Sequence, residues 1–510
     1  MVFSSHLFLF YFLPAALLLY YVTVGYGRLF ALTVVSLLFY GWTSPWFIPV
    51  VVWTALLDFC CGKLIAGGVL NNPLALAQAD GAIHNPPTAR RRRWPLVLSV
   101  IANLGMLAFF KYTMFAEENF ARILHSFGHE GRDFIVIVLP VGISFYTFES
   151  ISYVFDIYRG NARPASCWVY ERYGRSASDR MPWLERLGIE GKAFISYLCY
   201  LTQFPHLVAG PIIRYRDIER QLHQRSHTIE QFARGVAFLS IGLAKKVLLA
   251  NPMGEIADSA FAAGGLQWHD AWFGAIAYAF QIYFDFSGYS DMAVGLGLMM
   301  GFRYPRNFRA PYLAESITEF WRRWHISLST WLRDYLYLPL GGNRLGQRRT
   351  YANLLLVMLI GGFWHGAAWT FLAWGAIHGV MLATERITGK TSFYTPFPKP
   401  LRISITFLIV CLAWVFFRSP TLGGAGNYLL CMFGLGNPQP EAQFVQLELY
   451  DHYRLVIFAG CALVIWGGTQ TWEFTRIITP LRAAACALLL VAAIVTMWSQ
   501  SENHFLYFRF

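Results

Sequence analysis

Two histidines occupy sequence surroundings in which an imidazole is unusual. His365 lies inside the apolar stretch 359–379, and His325 lies forty positions upstream in a basic segment rich in tryptophan. Burying an imidazole without a partner costs free energy, and an ionisable residue in a membrane segment is functional by default. A neutral imidazole there can act as a general base toward a hydroxyl group. The non-catalytic alternatives are that His365 is a structural histidine bonded to a backbone carbonyl and that His325 is an interfacial histidine.

The neighbours of His365 suit a dry reaction site. Gly366 permits a close backbone approach, and Trp364 and Trp369 could supply walls. Exclusion of water would protect a thioester from hydrolysis. Two further histidines in apolar surroundings, His206 and His378, are weaker candidates for direct chemistry.

Several reaction classes have no motif in this chain. The sequence contains no HxxxxD pair, no GxSxG nucleophile elbow and no GxxxxGK[ST] phosphate loop. The HExxH spacing of zinc enzymes is also missing, and we predict no metal site. The acids Asp285 and Asp291, in the motif YFDFSGYSD, could relay protons or could bind lysines and arginines of neighbouring segments.

Composition shows which kind of element must position these residues. Of 510 residues, 56% are hydrophobic and only 14% are charged, whereas a soluble domain averages about 25% charged residues. The chain is therefore predicted to be an all-α polytopic membrane protein. Its net charge of +12 fits lysines and arginines gathered in cytoplasmic loops, so we expect no nucleic-acid partner. The eight cysteines form no CxxC pair and are read as small buried hydrophobes.

Apolar runs of membrane length recur along the chain. They predict about ten to twelve crossings, the first of them a retained span rather than a removed signal. The candidate spans are 5–25, 29–43, 46–66, 95–115, 134–157, 229–250, 271–300, 351–383, 401–418, 453–470 and 481–498. The arginine run 90–93 places loop 67–94 in the cytoplasm, and nine arginines place region 300–350 there as well. Loop 160–192, also basic, is predicted to be the largest cytoplasmic excursion.

Three segments depart from simple spans. Segment 197–214 contains two prolines and is predicted to be a re-entrant or broken helix. Segment 351–383 could cross once or fold back at Gly361-Gly362 or His365-Gly366. Segment 317–340 has its apolar residues at helical spacing, which predicts an amphipathic interfacial helix with tryptophan at the membrane boundary. A helix starting near Tyr351 at the cytoplasmic face would put His365 roughly 21 Å deep.

Linked motifs along nearly the whole chain resemble the membrane-bound O-acyltransferase family, in particular its bacterial branch of alginate O-acetyltransferase-type proteins. The strongest are WRRWHISLSTWLRDYLYLPLGGNR at 321–344 and GGFWHGAAWTFLAWGAIHG at 361–379. Similar motifs stand at 139–160, 207–218, 242–251 and 283–302, and the ending FLYFRF also looks like that branch.

The resemblance implies that His365 is the catalytic histidine. The position of His325 is His in bacterial members and Asn in many eukaryotic ones, so His325 would orient or assist. The family also implies a central funnel or tunnel with an acyl donor entering from the cytoplasm. Its bacterial branch further implies a separate periplasmic acetyltransferase of SGNH type for final transfer to the sugar.

We therefore expect a bacterial inner-membrane enzyme that moves acetyl groups from acetyl-CoA, used as co-substrate with no bound cofactor, toward an exported polysaccharide of the alginate or cellulose type. The alternatives are transfer of another acyl group such as D-alanine to a cell-envelope polymer, and transport of an acyl carrier or polymer without chemistry. Membrane lipid is an expected partner. Candidate donor or tunnel residues are Arg323, Trp324, Arg333, Asp334, Tyr337, Trp364 and Trp369.

A single membrane domain over 1–510 is predicted. It comprises N-terminal helices to residue 157, the loop 160–192, a catalytic core at about 193–385 and C-terminal helices over 401–498.

Overall fold

The regular secondary structure of the described part of the chain is entirely helical. A computed structural model describes residues 1–66, 92–128, 136–173, 183–263, 265–389, 392–437, 442–500 and 505–506. No strand occurs within these ranges. The chain divides into two compact units, one formed by 6–232 with 296–304 and the other by 2–5, 233–295 and 305–510. The single domain over 1–510 stays a prediction.

The first unit is built from helices α1 to α9. They are α1 Leu13–Val22, α2 Tyr26–Gly41, α3 Ile48–Ile65, α4 Arg93–Ser126, α5 Ile143–Arg159, α6 Ala165–Tyr173, α7 Trp183–Thr202, α8 Phe204–Leu207 and α9 Tyr215–His223. A π-helical segment Leu7–Phe12 leads into α1. Glycines in the left-handed region bound α5, with Gly142 at φ 77° and Gly160 at φ 79°, because glycine adopts this conformation without steric cost.

Two predictions in this unit changed. The span 134–157 begins only at Ile143, since 136–142 is not helical and 134–135 lies outside the described residues. The predicted cytoplasmic loop 160–192 contains α6 and the start of α7, 174–182 lies outside the described residues, and the cytoplasmic placement of this segment stays a prediction. Loop 67–94, with its arginine run, is described only from residue 92.

The break predicted within 197–214 is present. The chain leaves α7 at Thr202, makes the single turn α8 and then runs without helix to α9. This stretch is buried, so its backbone needs internal partners. Ile213 supplies an example: its carbonyl accepts from Tyr200 Oη at 2.9 Å, and its N–H donates to Glu149 Oε1 at 3.1 Å.

The second unit carries most of α10 and α12 and all later helices. They are α10 Ile229–Ala244, α11 Asn251–Ala262, α12 Trp268–Met299, α13 Ile317–Arg323, α14 Ile326–Trp331, α15 Gln347–His365, α16 Trp369–Ile387, α17 Lys399–Arg418, α18 Leu422–Met432, α19 Ala442–Leu449, α20 His452–Gly467, α21 Thr471–Phe474 and α22 Pro480–Ser499. Two π-helical segments, Lys245–Ala250 and Leu332–Tyr337, follow α10 and α14.

Membrane character is confirmed by length and composition. Four helical segments are long and apolar enough to cross a bilayer, namely Pro45–Ile65, Arg93–Ser126, Lys399–Arg418 and Pro480–Ser499. Shorter apolar helices cover Leu7–Val22, Tyr26–Gly41 and His452–Gly467. The protein is therefore an all-α polytopic membrane protein, whereas the number of crossings stays a prediction.

Candidate active site

His365 is placed by a helical hairpin. Segment 351–383 folds back, with α15 ending at His365, a turn at 366–368, and α16 beginning at Trp369. The two helices are antiparallel, because Gly362 lies against Phe371 and Gly375 against Met358. The structure thus shows the second of the two turns that the sequence left open.

Glycines make this hairpin tight. A Cβ atom on Gly362 would overlap the carbonyl oxygen of Phe371, and one on Gly375 would overlap the carbonyl oxygen of Met358. At the turn, a Cβ on Gly366 would enter the ring of Phe371. The glycines next to His365 therefore let two helix backbones touch.

Aromatic rings surround the His365 imidazole, which is 5% exposed. Its centroid lies 4.9 Å from the ring of Trp364, 5.3 Å from Trp374 and 5.3 Å from Phe417. The Trp374 ring stands at 89° to it. Trp364 is 2% exposed, whereas Trp369 is 50% exposed at the start of α16. Trp374 and Phe417 supply the remaining walls.

His365 opens onto a small cavity of about 20 Å³. A space of this size is close to the ~15 Å³ that one water needs. The other lining residues come from α12, the WHIS segment (Trp324–Ser327), α17 and the end of the chain: Ile282, Asp285, Phe286, Trp324, Trp414, Phe417, Phe505 and Leu506. The walls are mostly aromatic, so a group held beside His365 would be largely shielded from water.

The segment around His325 is not the continuous helix predicted over 317–340. Helix α13 ends at Arg323, Trp324 is extended, and His325 adopts a left-handed conformation at φ 42° before α14 begins. The apolar stripe faces the unit's interior rather than a membrane boundary, since Trp324 is 3% and Trp331 6% exposed. A non-glycine residue at positive φ costs of order 1 kcal/mol and persists only where its surroundings hold it.

A side-chain network holds His325 in this conformation. His325 Nδ1 lies 3.1 Å from Asn307 Oδ1, which also accepts from Ser327 N at 3.3 Å and Ser327 Oγ at 3.0 Å. The Asn307 amide nitrogen donates to Ser290 Oγ at 3.0 Å. The backbone also contributes a hydrogen bond, since the Ile326 N–H donates to the Asn307 carbonyl at 2.9 Å.

This network fixes the tautomer of His325. Asn307 Oδ1 is an acceptor, since a backbone N–H donates to it, so His325 Nδ1 must carry the proton. The lone pair of the neutral ring is then on Nε2. That atom is buried and has no hydrogen-bond partner in the part of the chain that the structure describes.

His325 lies behind one of the residues that line the cavity beside His365. His325 does not line it, but its ring meets Phe286 edge to face at 4.6 Å, and Phe286 is a lining residue. Its sequence neighbour Trp324 lines the cavity and lies 5.1 Å from Trp414. The two histidines therefore share one aromatic cluster.

A buried carboxylate ties the WHIS segment to the hairpin. Glu385, near the end of α16, accepts from the backbone N–H groups of Ile317 and Thr318 at 2.8 and 2.9 Å. These donors have no partner within α13 because they belong to its first turn. The contact fixes the start of α13, the helix that leads into the WHIS segment, against α16.

The remaining predicted donor or tunnel residues do not line the cavity. Arg323 pairs with Glu319 at 2.6 Å, and Arg333 pairs with its neighbour Asp334 at 2.7 Å on the surface. Tyr337 is half-buried. Burial acts to raise the pKa of Glu319, but the Glu315 N–H and the Arg323 guanidinium outweigh it and hold that pKa below its usual value.

The acids of α12 are engaged in ion pairs. Asp285 Oδ1 lies 2.5 Å from Lys246 Nζ, and Asp291 Oδ2 lies 2.7 Å from Lys245 Nζ. Asp285 also accepts from the backbone N–H of Leu506 at 2.7 Å, which fixes the chain end at the cavity. Of the two alternatives for these acids, the structure shows the one in which they bind lysines.

The weaker histidine candidates lie elsewhere. His378 accepts from Trp321 Nε1 at 3.3 Å and contacts Trp374, one of the rings around His365. His206 belongs to the first unit, where its Nδ1 lies 3.1 Å from Glu149 Oε1.

Sequence reasoning missed Asn307, Phe286, Trp374 and Phe417. Asn307 stands eighteen positions before His325, and Phe417 stands fifty-two positions after His365. No local spacing joins such positions, because only the tertiary fold brings them together. Phe286 and Trp374 had a signal, since they lie within the singled-out motif YFDFSGYSD and the apolar stretch 359–379.

The sequence is similar to those of several known proteins. Residues 131–419 match the model of the MBOAT, membrane-bound O-acyltransferase family. The chain is 40% identical to the "Probable alginate O-acetylase AlgI" of Pseudomonas putida, over 100% of both chains. It is 35% identical to the "Peptidoglycan O-acetyltransferase" of Helicobacter pylori, over 100% of this chain and 98% of that one. A "Teichoic acid D-alanyltransferase" of Streptococcus thermophilus is 29% identical, over 43% of this chain and 60% of that one.

Proposed function

Because the chain belongs to the membrane-bound O-acyltransferase family and is an O-acyltransferase, we propose that it moves acetyl groups from a cytoplasmic thioester, such as acetyl-CoA, toward an exported polysaccharide. One observation carries the proposal: His365 ends a tight helical hairpin and opens onto a small, aromatic-walled cavity. A cavity of about 20 Å³ has no room for a fatty acyl chain. The place of action is the bacterial inner membrane.

In the proposed reaction, His365 acts as general base. It removes the proton of the acceptor hydroxyl, whose oxygen attacks the thioester carbonyl carbon. The carbon–sulfur bond then breaks, and the departing thiolate takes up the proton from the imidazolium. No acyl-enzyme on His365 is required, and the aromatic walls limit the access of water to the thioester.

His325 assists in this scheme. Its protonated Nδ1 donates to Asn307, so its unprotonated Nε2 can accept a hydrogen bond from the acceptor hydroxyl or relay its proton. Holding the ring in one tautomer before substrate arrives reduces the reorganisation that the reaction needs.

The donor docks, in this proposal, on the basic surface of 300–350. Arg344, Arg348 and Arg349 are exposed there, and none has a carboxylate within ion-pair distance among the described residues. Guanidinium groups bind phosphates through charge and paired hydrogen bonds. Acetyl-CoA carries phosphates that such a surface attracts.

The final acceptor lies beyond the membrane. We propose that a separate periplasmic acetyltransferase of SGNH type completes transfer to the sugar. The polymer is an exported or envelope polysaccharide, since the similar proteins are named for alginate and for peptidoglycan.

The test compares cells that produce the wild-type protein, His365→Ala or His452→Ala. His452 is an exposed histidine at the start of α20 and serves as the matched control. We expect His365→Ala to abolish the O-acetyl content of the exported polysaccharide at unchanged membrane levels, while His452→Ala keeps it. Full acetylation by His365→Ala would refute the proposal.

A second acyl group is D-alanine, supported by the partial similarity to a teichoic acid D-alanyltransferase. Purified protein offered radiolabelled acetyl-CoA and, separately, a D-alanyl thioester on a carrier protein distinguishes the two donors. We expect consumption of acetyl-CoA alone. Consumption of only the D-alanyl thioester would show that the enzyme moves D-alanine rather than acetyl groups.

A further inference from the structure

A second cavity, of about 150 Å³, lies within the first unit. It is bounded by the start of α2 and by the end of α9 with the segment that follows it. Its lining residues are Gly25, Tyr26, Arg28, Leu29, Leu222, His223, Arg225 and His227. Two guanidinium groups and two imidazoles thus face one space, and no carboxylate lines it.

The two arginines are held by neutral acceptors. Arg28 Nε donates to the Thr23 carbonyl at 2.8 Å. Arg225 Nε donates to Tyr20 Oη at 2.7 Å, and its Nη1 donates to the carbonyls of Gln221 and Leu222 at 3.0 and 2.8 Å. Within the described ranges, neither guanidinium has a carboxylate at ion-pair distance. Their positions are therefore fixed while their charges stay uncompensated.

His227 contacts both Tyr20 and Arg28. His227 Nε2 lies 2.9 Å from Tyr20 Oη, and its Nδ1 lies 3.5 Å from Arg28 Nη1. Burial lowers the pKa of His227, and the charges of Arg28 and Arg225 lower it further. The part of this effect that comes from the two guanidinium charges has the sign of a positive potential.

The cavity lies at one end of the membrane helices of its unit. Tyr20 Oη donates to the Met300 carbonyl at 2.5 Å, and Tyr21 Oη to the Met299 carbonyl at 2.5 Å. These carbonyls end α12, where the chain enters region 300–350, which the positive-inside rule places in the cytoplasm. Both inner-leaflet headgroups and soluble cytoplasmic anions reach such a position.

We propose that this cavity binds a phosphate group, either from the headgroup of an anionic lipid or from a soluble phosphate compound. Its volume is about ten times the ~15 Å³ that one water requires, so a phosphate fits. Arginines whose guanidinium groups are already held by hydrogen bonds lose little further side-chain entropy when they bind phosphate oxygens. The positive-inside rule accounts for exposed basic loops, but it does not require half-buried arginines to converge on one cavity.

The test uses the full chain purified in dodecyl maltoside, a detergent without phosphate. Native mass spectrometry counts bound phosphatidylglycerol, with diacylglycerol as the lipid that lacks phosphate. Thermal unfolding in inorganic phosphate, against chloride at equal ionic strength, reports soluble phosphate because a ligand of the folded state raises the Tm. Binding in the first arm alone identifies the lipid headgroup as the source, and binding in the second alone identifies soluble phosphate.

The variants are Arg28→Gln, Arg28→Lys and Arg225→Gln, with Arg122→Gln in α4 as the matched control. We expect Arg28→Gln to weaken binding of the bound probe by about tenfold, since one charge-assisted contact is lost, and Arg28→Lys to weaken it less. Arg122→Gln should bind like the wild type. If Arg225→Gln does not fold, the result for Arg28→Gln alone tests the proposal, because Arg28 makes fewer hydrogen bonds to the protein. Absence of binding by the wild type in both arms, or undiminished binding by Arg28→Gln, would overturn the proposal.

Discussion

His365 and His325 reach one aromatic cluster by different physical means. His365 is placed by packing, since the glycines of α15 and α16 let two backbones touch and rings enclose the imidazole. His325 is oriented by hydrogen bonds, since Asn307 holds its Nδ1 and the backbone takes a conformation that costs energy. The first histidine therefore depends on the shape of the hairpin, and the second depends on a few named polar atoms.

The difference suggests a division of labour. The rings around His365 shield it from water, whereas the amide oxygen of Asn307 fixes both the position and the tautomer of His325. A base that must accept and return a proton benefits from the shielded site, and a group that must point one lone pair benefits from the bonded site. Mutations that act on packing or on hydrogen bonds should therefore affect the two histidines separately.

The largest effect is expected from breaking the packing. In Gly375→Val the new side chain would overlap the Met358 carbonyl, so α15 and α16 would have to separate. Such overpacking typically costs about 1–3 kcal/mol and would also move His365. We expect a lowered Tm of the detergent-solubilised protein and loss of acetyl transfer. Gly460→Val, at a glycine of α20 with open space around it, is the control and should change neither. An active, stable Gly375→Val protein would show that hairpin contact does not position His365.

An intermediate effect is expected from breaking the hydrogen bonds of His325. Asn307→Ala removes the acceptor of Nδ1–H, and His325→Asn removes the Nε2 lone pair while keeping a residue that tolerates positive φ. We expect each variant to lower kcat by about tenfold, which corresponds to roughly 1.4 kcal/mol of transition-state stabilisation. The KM for acetyl-CoA should change little, and the Tm should fall in Asn307→Ala, which leaves the buried Ser327 donors without their acceptor, more than in His325→Asn.

Two outcomes would contradict the proposed role of His325. An unchanged kcat in His325→Asn would mean that the Nε2 lone pair takes no part. A fall in Tm that accounts for the whole loss of activity in Asn307→Ala would mean that the network only supports the fold.

The smallest effect is expected on the donor surface, away from both histidines. Arg348→Gln with Arg349→Gln removes two exposed charges, and exposed charges are strongly screened at physiological salt. We expect a KM for acetyl-CoA raised about threefold at low salt and less at high salt, with kcat and Tm unchanged. A changed kcat at saturating donor would show that these arginines act on the chemical step.

Hydropathy predicted the apolar helices because burial in lipid needs a long uninterrupted apolar run, as in Lys399–Arg418 and Pro480–Ser499. It missed α7 because that helix starts among charged residues and becomes apolar only toward its end. The sequence also pointed to His365, since the imidazole is conspicuous in an apolar stretch. It could not predict the break at His325, because the contact that stabilises φ 42° comes from Asn307, eighteen positions away.

The most direct test of the proposed role of His365 is a single-turnover measurement with purified wild type, His365→Gln and His452→Gln. Radiolabelled acetyl-CoA is mixed with excess enzyme and acceptor, and acetyl transfer is followed in time. A general base contributes about 10²–10⁴ to a rate, so His365→Gln should be at least about 100-fold slower than the wild type at equal donor binding. His452→Gln should match the wild type. A His365→Gln rate equal to that of the wild type would contradict the assignment of His365 as the base.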